Sequence, residues 1–430
     1  MELISKLHKS WKNKNHFFFV SDEINLSFKD LINQKPIDIS EVESGDVVSL
    51  IGDFNSSTII TFLKLIEKNV VVVPLTKETK HQHEYFFKNS YSNVIIENNK
   101  VKRFKKKSHH LLEQLKLNNR PGLILFSSGI TGDPKAILHD FTFFLERFST
   151  PRPSFIILNF LLFDHIGGIN TLFHTLYNNG TIVALKKRTV HDVLSTCKKY
   201  EVEVLPTTPT FLRMLLISNI KQEKFPKSIK IITYGTEIMD QTTLNQLCKL
   251  LPNVDFRQTY GLSEIGIVRV KSENRNSLYM KIGGEGVEIK VEQNILYIKS
   301  KYQMLGYLNA PSPFDKNDWY NTNDLIHSKG EFVKIIGRSN DVINVGGLKF
   351  MAAEVEKVAL EYPNIFLAKA ISRKNPITGN HVEIKIQPNQ GINIDKSDLD
   401  NFFKSKLPSH MIPKKVIIEK INIGHRFKRL

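Results

Sequence analysis

The chain predicts an α/β protein: a large, lobed N-terminal domain of mixed, partly parallel sheets with flanking helices, then a small α+β domain on a hinge. Three observations carry this. Short apolar runs at 47–51, 70–74, 94–96, 123–126 and 181–185 read as buried strands, and stretches of helical period such as 57–67 lie between some of them. Such alternation is the pattern of a sheet with substantial parallel pairing. A chain of 430 residues is too long for one small core. Near residue 340 the texture changes, which sets the boundary.

Residues 332–336 read as a strand closed by Gly337-Arg338, and the polar turn Ser339-Asn340-Asp341 that follows is the expected hinge. We therefore expect domains at 1–339 and 340–430. The second contains a strand-like stretch, a Gly346-Gly347 turn, a helix over 352–362, a strand over 381–386 and a helix over about 395–406. Either Asp395 or Ser397 suits the N-cap of that last helix.

The formal charge of +17, from 60 Lys and Arg against 43 Asp and Glu, raises the question of a polyanionic partner. Much of the excess is Lys accompanied by abundant Asn, Ile and Phe, a mixture that compositional bias alone produces. The densest run, 100–107, reads as a solvated connector. No nucleic-acid partner is expected; a basic face suits ATP, CoA or an acidic acyl carrier protein. The longest apolar stretch, 155–163, is too short to span a bilayer and no transmembrane segment is expected. With no secretory signal read and only Cys197 and Cys248 present, a cytoplasmic protein without disulfides is expected.

The most informative stretch is Ser127-Ser128-Gly129-Ile130-Thr131-Gly132-Asp133-Pro134-Lys135, directly after the apolar run 123–126. Gly129 and Gly132 permit turns that aim successive N–H groups at one anion. Ser127, Ser128 and Thr131 add hydroxyl donors, and Lys135 adds a charge. The Walker pattern is absent, because Pro134 precedes the Lys and Ala136 follows it. Alone, such a loop is as often a simple turn.

Further motifs follow in order: Tyr234-Gly235-Thr236-Glu237; Gln258-Thr259-Tyr260-Gly261-Leu262-Ser263-Glu264; Asn321-Thr322-Asn323-Asp324; and Gly337 through Lys349. Taken with the hydroxyl-rich loop, they resemble the adenylate-forming superfamily of acyl- and aryl-CoA synthetases, luciferases and peptide-synthetase adenylation domains. The feel is that of a short acyl-CoA synthetase.

The resemblance implies a set of roles. The loop with Ser127, Ser128, Gly129, Thr131, Gly132 and Lys135 would hold the phosphates of ATP. Gly235, Thr236 and Glu237 would approach the adenine and the acyl carbonyl. Tyr260 would lie against adenine, with Gly261 beside it, Ser263 would contact the α-phosphate, and Glu264 would hold Mg²⁺, since a carboxylate beside phosphates needs a divalent ion between them. Asp324 would take the ribose hydroxyls; Asn323 stands where the family carries Gly, and Asn tolerates the left-handed backbone. Arg338 would also contact the ribose, Asn340 would be the pivot, and Gly346 and Gly347 would line the thiol's approach.

For the acyl pocket the resemblance points to Asp164, His165, Gly167, Gly235 and Gly261. His165 followed by Gly-Gly matches CoA ligases, while Phe163-Asp164 matches amino-acid-activating members, where Asp pairs with the substrate ammonium; both stay open. The family's C-terminal catalytic lysine has two registers here, Lys428 or His425, and Lys428 is preferred because a fixed cation stabilises charge developing on phosphate.

The implied reaction is ATP-dependent conversion of a small-molecule carboxylic acid to an acyl-adenylate, with Mg²⁺, then transfer to CoA. Loading of a carrier protein's phosphopantetheine is the alternative within the enzyme class. Outside it stands a nucleotide-binding protein with a degenerate C-terminal lysine motif.

Overall fold

Buried strands alternating with helices build the first 260 residues of the computed structural model, which describes residues 3–127, 133–218 and 222–423. One seven-stranded sheet runs Gly306–Tyr307, Ala136–Asp140, Gly122–Phe126, Val71–Leu75, Val47–Ile51, Val94–Glu97, Lys100–Arg103. Its central pairings are parallel. Every residue of Val47–Ile51, Val71–Leu75 and Gly122–Phe126 is buried, as a parallel strand covered on both faces requires. Ser56–Glu67 covers this sheet, starting one residue before the expected helix; Asn55 caps it by accepting the Thr58 N–H.

A second seven-stranded sheet runs Asp255–Gln258, Ile231–Tyr234, Val204–Thr207, Ile156–Leu158, Thr181–Val183, Phe17–Val20, Asn25–Ser27, with all neighbours parallel except the last pair. The third, Tyr260–Leu262 through Val287–Glu292, is antiparallel throughout. The expected mixture of parallel and antiparallel sheet with flanking helices is thus present.

The basic run 100–107 is more than a connector. Lys100–Arg103 forms the exposed edge strand of the first sheet, where lysines discourage further pairing. Arg103 and Lys106 reach back to the buried Asp46 at 2.8 and 3.4 Å. Sequence reading missed this because the partner carboxylate lies more than fifty residues upstream.

After the Phe332–Arg338 strand, Ser339–Asp341 forms a single 3₁₀ turn containing Asn340. A separate apolar cluster follows, drawn wholly from 343–411 and including Ile343, Phe350, Val355, Ile384, Leu399 and Phe403. It packs helices Ala352–Glu361 and Lys396–Lys406 on the sheet Ile365–Asn375, Gly379–Pro388, Lys415–Ile418. Asp395 is the N-cap of the later helix, accepting from the N–H groups of Ser397 and Asp398. No helix among the described residues is long and apolar enough to cross a membrane.

Candidate active site

The motifs gather where parallel strands end. Tyr234 and Gln258 are cross-strand partners at the carboxyl ends of neighbouring strands of the second sheet, and Ser127 follows the carboxyl end of Gly122–Phe126 in the first. Ligands of open α/β sheets bind at such ends.

Ser127 and Lys135 close the mouth of the hydroxyl-rich loop. The Ser127 N–H donates to the Lys135 carbonyl at 3.0 Å, and the Lys135 N–H donates to Ser127 Oγ at 2.9 Å. The Pro134 carbonyl accepts from Tyr85 Oη and from Asn309 Nδ2, each at 3.0 Å, and Asn309 Oδ1 also accepts the Ala136 N–H. Neither Tyr85 nor Asn309 lies in a motif, so no sequence signal marked them. Ser128, Gly129, Thr131 and Gly132 lie outside the described residues, as do His425 and Lys428.

Lys135 projects toward Tyr307, its Nζ 4.8 Å from the ring centroid, and Tyr307 donates its hydroxyl to Glu264 Oε1 at 2.9 Å. One buried ring therefore links the loop's cation to the motif's carboxylate. Burial and then the Glu264 charge push the Tyr307 phenol far above its ordinary pKa, so it stays a donor. The Met304 N–H donates to the Glu264 carbonyl at 2.7 Å, and His139 Nε2 lies 2.7 Å from the Ser263 carbonyl. A carbonyl only accepts, so Nε2 carries the proton. Burial drives His139 down to about 4 despite that bond, which keeps the ring neutral.

Tyr260 donates to Asp324 Oδ2 at 2.5 Å, and Arg338 Nε reaches Asp324 Oδ1 at 3.3 Å. Asp324 and Arg338 are register partners on adjacent antiparallel strands, which is why residues fourteen apart meet. Burial raises the Asp324 pKa, opposed by Arg338 and by the Tyr260 hydroxyl. Asn323 adopts φ +56°, the left-handed conformation expected of an Asn standing in for Gly.

Gly235 is required by close approach: a Cβ there would lie 2.2 Å from Thr259 Oγ1 and 2.8 Å from the Thr259 carbonyl oxygen. Thr236 follows at φ +73°. The Glu237 carboxylate accepts from the backbone N–H and the hydroxyl of Thr210, at 3.1 and 2.6 Å, fastening the start of the Pro209–Ile217 helix. Gly261 is enclosed by the Gly266 carbonyl and Ile267, its cross-strand partner.

His165 is the N-cap of the Ile166–Tyr177 helix, its Nδ1 accepting the Gly167 N–H at 3.0 Å. Asp164 is buried with Oδ2 3.4 Å from Thr76 Oγ1, and it feels the charges of Asp53 and Arg188. Gly346 and Gly347 differ from expectation. A Cβ at either would meet nothing within 4 Å, and both have positive φ, +59° and +87°, in a two-residue hairpin turn between Val342–Val345 and Leu348–Met351. Backbone conformation accounts for these glycines in this arrangement of the chain, rather than a passage kept clear.

Among the described residues no three His, Cys, Asp or Glu side chains are grouped to hold a metal ion. Glu264 is instead a lone carboxylate next to a cation and a phenol. That donor set suits Mg²⁺ shared with nucleotide phosphates, and it does not suit an all-protein cage.

A family model described as "AMP-binding enzyme" matches residues 39–308. YhfT of Bacillus subtilis, an uncharacterized acyl–CoA ligase, is 28% identical over 316 residues, covering 67% of this chain and 63% of its own length. A 2-succinylbenzoate–CoA ligase of Staphylococcus epidermidis is 25% identical over 313 residues, covering 68% and 64%. The chain thus spans slightly less than two thirds of these curated relatives. Among solved structures, an anthranilate–CoA ligase with anthranoyl-AMP superposes with a TM-score of 0.83 at 15% identity, over 99% of this chain and 95% of that one. ATP-bound MatB from Rhodopseudomonas palustris gives 0.80 at 17% identity, over 99% and 96%. These likenesses show a shared fold, and the family model covers well over half the residues: the chain belongs to the AMP-binding enzyme family.

Proposed function

We propose that this protein activates a carboxylic acid with ATP, releasing pyrophosphate, and transfers the acyl group from the adenylate to a thiol, CoA in the first instance. The observation that carries the reading is the Lys135–Tyr307–Glu264 contact, which sets a phosphate-binding cation and a metal-ligating carboxylate on one buried ring. Lys135 neutralises phosphate charge, and Glu264 would hold Mg²⁺, whose chemistry there is charge neutralisation on the nucleotide. Asp324 and Arg338 orient the ribose, Tyr260 packs against the adenine, and Ser127 with Ser128, Gly129, Thr131 and Gly132 cradles the phosphates. The cation at 428 closes the site from the C-terminal segment. Catalysis is then chiefly positioning and electrostatic stabilisation.

Between half-reactions the 340–430 unit pivots at Asn340 against 1–339, withdrawing the cation and bringing the Gly346-Gly347 turn to the acyl group. The separate cluster in 343–411 supports this division, and the open surroundings of that turn suit an element that docks elsewhere in its cycle. Two free cysteines agree with a cytoplasmic setting. Transfer to a phosphopantetheine carrier protein is the second reading, favoured by one relative, a plipastatin synthase polypeptide of Bacillus subtilis, 23% identical over 440 residues covering 87% of this chain and 17% of that protein.

The test is acid-dependent exchange of labelled pyrophosphate into ATP over aliphatic, aromatic and amino acids, with Lys135→Ala beside the wild type. Exchange with one acid class, reduced roughly 10²-fold or more in the variant, supports activation. MgATP binding without exchange under any acid would favour the nucleotide-binding alternative.

A further inference from the structure

Along the Gly266–Ser272 strand, which leaves the Glu264 motif, and the Ile166–Tyr177 helix, which starts at His165, lies a cavity of about 380 Å³. Its lining includes Arg147, Arg152, Arg257, Arg269 and His174; Glu285, exposed, is the carboxylate at its edge. That size accommodates a small organic acid.

Arg147 is the informative member. Its Nη1 is fully buried and has no hydrogen-bond partner among the described residues. The guanidinium packs among Phe144, Phe148 and Tyr302, 5.2 to 5.8 Å from their centroids, and abuts Gly266, where a Cβ would lie 2.7 Å from Nη1. Burial drives its pKa down to about 10, with only Tyr302 opposing. A buried cation without a counter-ion is costly, and a protein keeps one where a ligand supplies the charge. Arg257 is satisfied by Asp255 at 2.6 Å; Arg152 and Arg269 are exposed and show no such pairing among the described residues. His174 is kept neutral by burial and by Arg152.

We propose that this cavity is the far end of the acid pocket and binds a second anionic group on the substrate, so that the acid activated is a dicarboxylate or a carboxylate bearing a sulfonate or phosphate. Arg147 holds that group from within, with Arg152 and Arg269 at the entrance. This rests on the acid-activation reading, because the first carboxylate must lie at the nucleotide. A guanidinium fork matches a carboxylate or phosphate by paired hydrogen bonds, which a mono-acid leaves unmade.

The test uses acids of equal length with and without a second terminal carboxylate. Binding is measured calorimetrically with saturating AMP, and pyrophosphate exchange is measured separately. The dianionic member of each pair should bind about 10- to 100-fold more tightly. Arg147→Gln should erase most of that ratio and Arg147→Lys should restore part of it. If loss of Arg147 prevents folding, Arg269→Gln at the entrance should lower the ratio several-fold. Equal binding of paired acids by the wild type overturns the site. So does an Arg147→Gln effect confined to the KM for CoA, which would assign the cavity to a CoA phosphate. Exchange with mono-acids and no preference leaves activation standing without the second anion site. Arg147-dependent preference in binding, with no exchange under any acid, leaves the anion site standing and removes activation.

Discussion

Tyr307 gives its hydroxyl to Glu264 Oε1 at 2.9 Å while the Lys135 ammonium sits over the same ring at 4.8 Å. Removing only the hydroxyl separates the two contacts. Tyr307→Phe keeps a ring under Lys135 but frees Glu264, and a hydrogen bond to a charged group contributes about 1.5–3 kcal/mol. We expect exchange to slow about 10-fold or more and half-saturation by Mg²⁺ to move upward. Unchanged kinetics and Mg²⁺ response would mean that Glu264 needs no such orientation.

Asp324 joins Tyr260 to Arg338. Asp324→Ala leaves the buried Tyr260 hydroxyl without its acceptor, a loss of roughly 1–3 kcal/mol of stability. It also removes the ribose contact, which should raise the KM for ATP by about 10- to 100-fold. Chemical denaturation and initial-rate kinetics read the two effects apart; a stability loss with an unaltered KM assigns Asp324 to the fold alone.

Stability should fall on acidification through the window set by His139, whose pKa is about 4 folded against an ordinary 6.5. Between these values the unfolded chain binds more protons than the folded one, so stability is full above pH 6.5 and declines toward pH 4. His139 contributes up to about 3 kcal/mol of that decline. His174, also lowered, acts in the same direction. In His139→Gln the pH dependence of the urea midpoint should flatten; an identical slope would show that His139 remains neutral for another reason.

Gly235→Ala places a methyl against the Thr259 backbone, which cannot step aside as a side chain can. We expect about 1–3 kcal/mol of destabilisation and a weakened nucleotide response. Pairing it with Thr259→Ser should give little rescue, because the carbonyl contact at 2.8 Å persists.

Asn340→Pro tests the pivot. Proline fixes φ, so a unit that must rotate there should complete adenylation but form thioester at least 10-fold more slowly. Equal loss of both half-reactions, or loss of neither, would count against a hinge at this residue.

The chain alone determined the α/β architecture, because apolar runs such as 47–51 and 123–126 are continuous where a strand is buried on both faces. It also determined the motif residues, since a strand end, its loop and the next helix are contiguous in sequence. Asn323 was legible for the same local reason: left-handed backbone is a property of one residue. Only the tertiary structure brought Tyr85 and Asn309 to Pro134, Tyr307 to Glu264 and Arg103 to Asp46, across separations of 43 to 175 residues. It also turned Glu237 toward Thr210 and left Arg147 buried without a counter-ion among the described residues. Those contacts depend on which strands neighbour one another, and pairing order is set by the packing of the whole sheet rather than by any local run of residues.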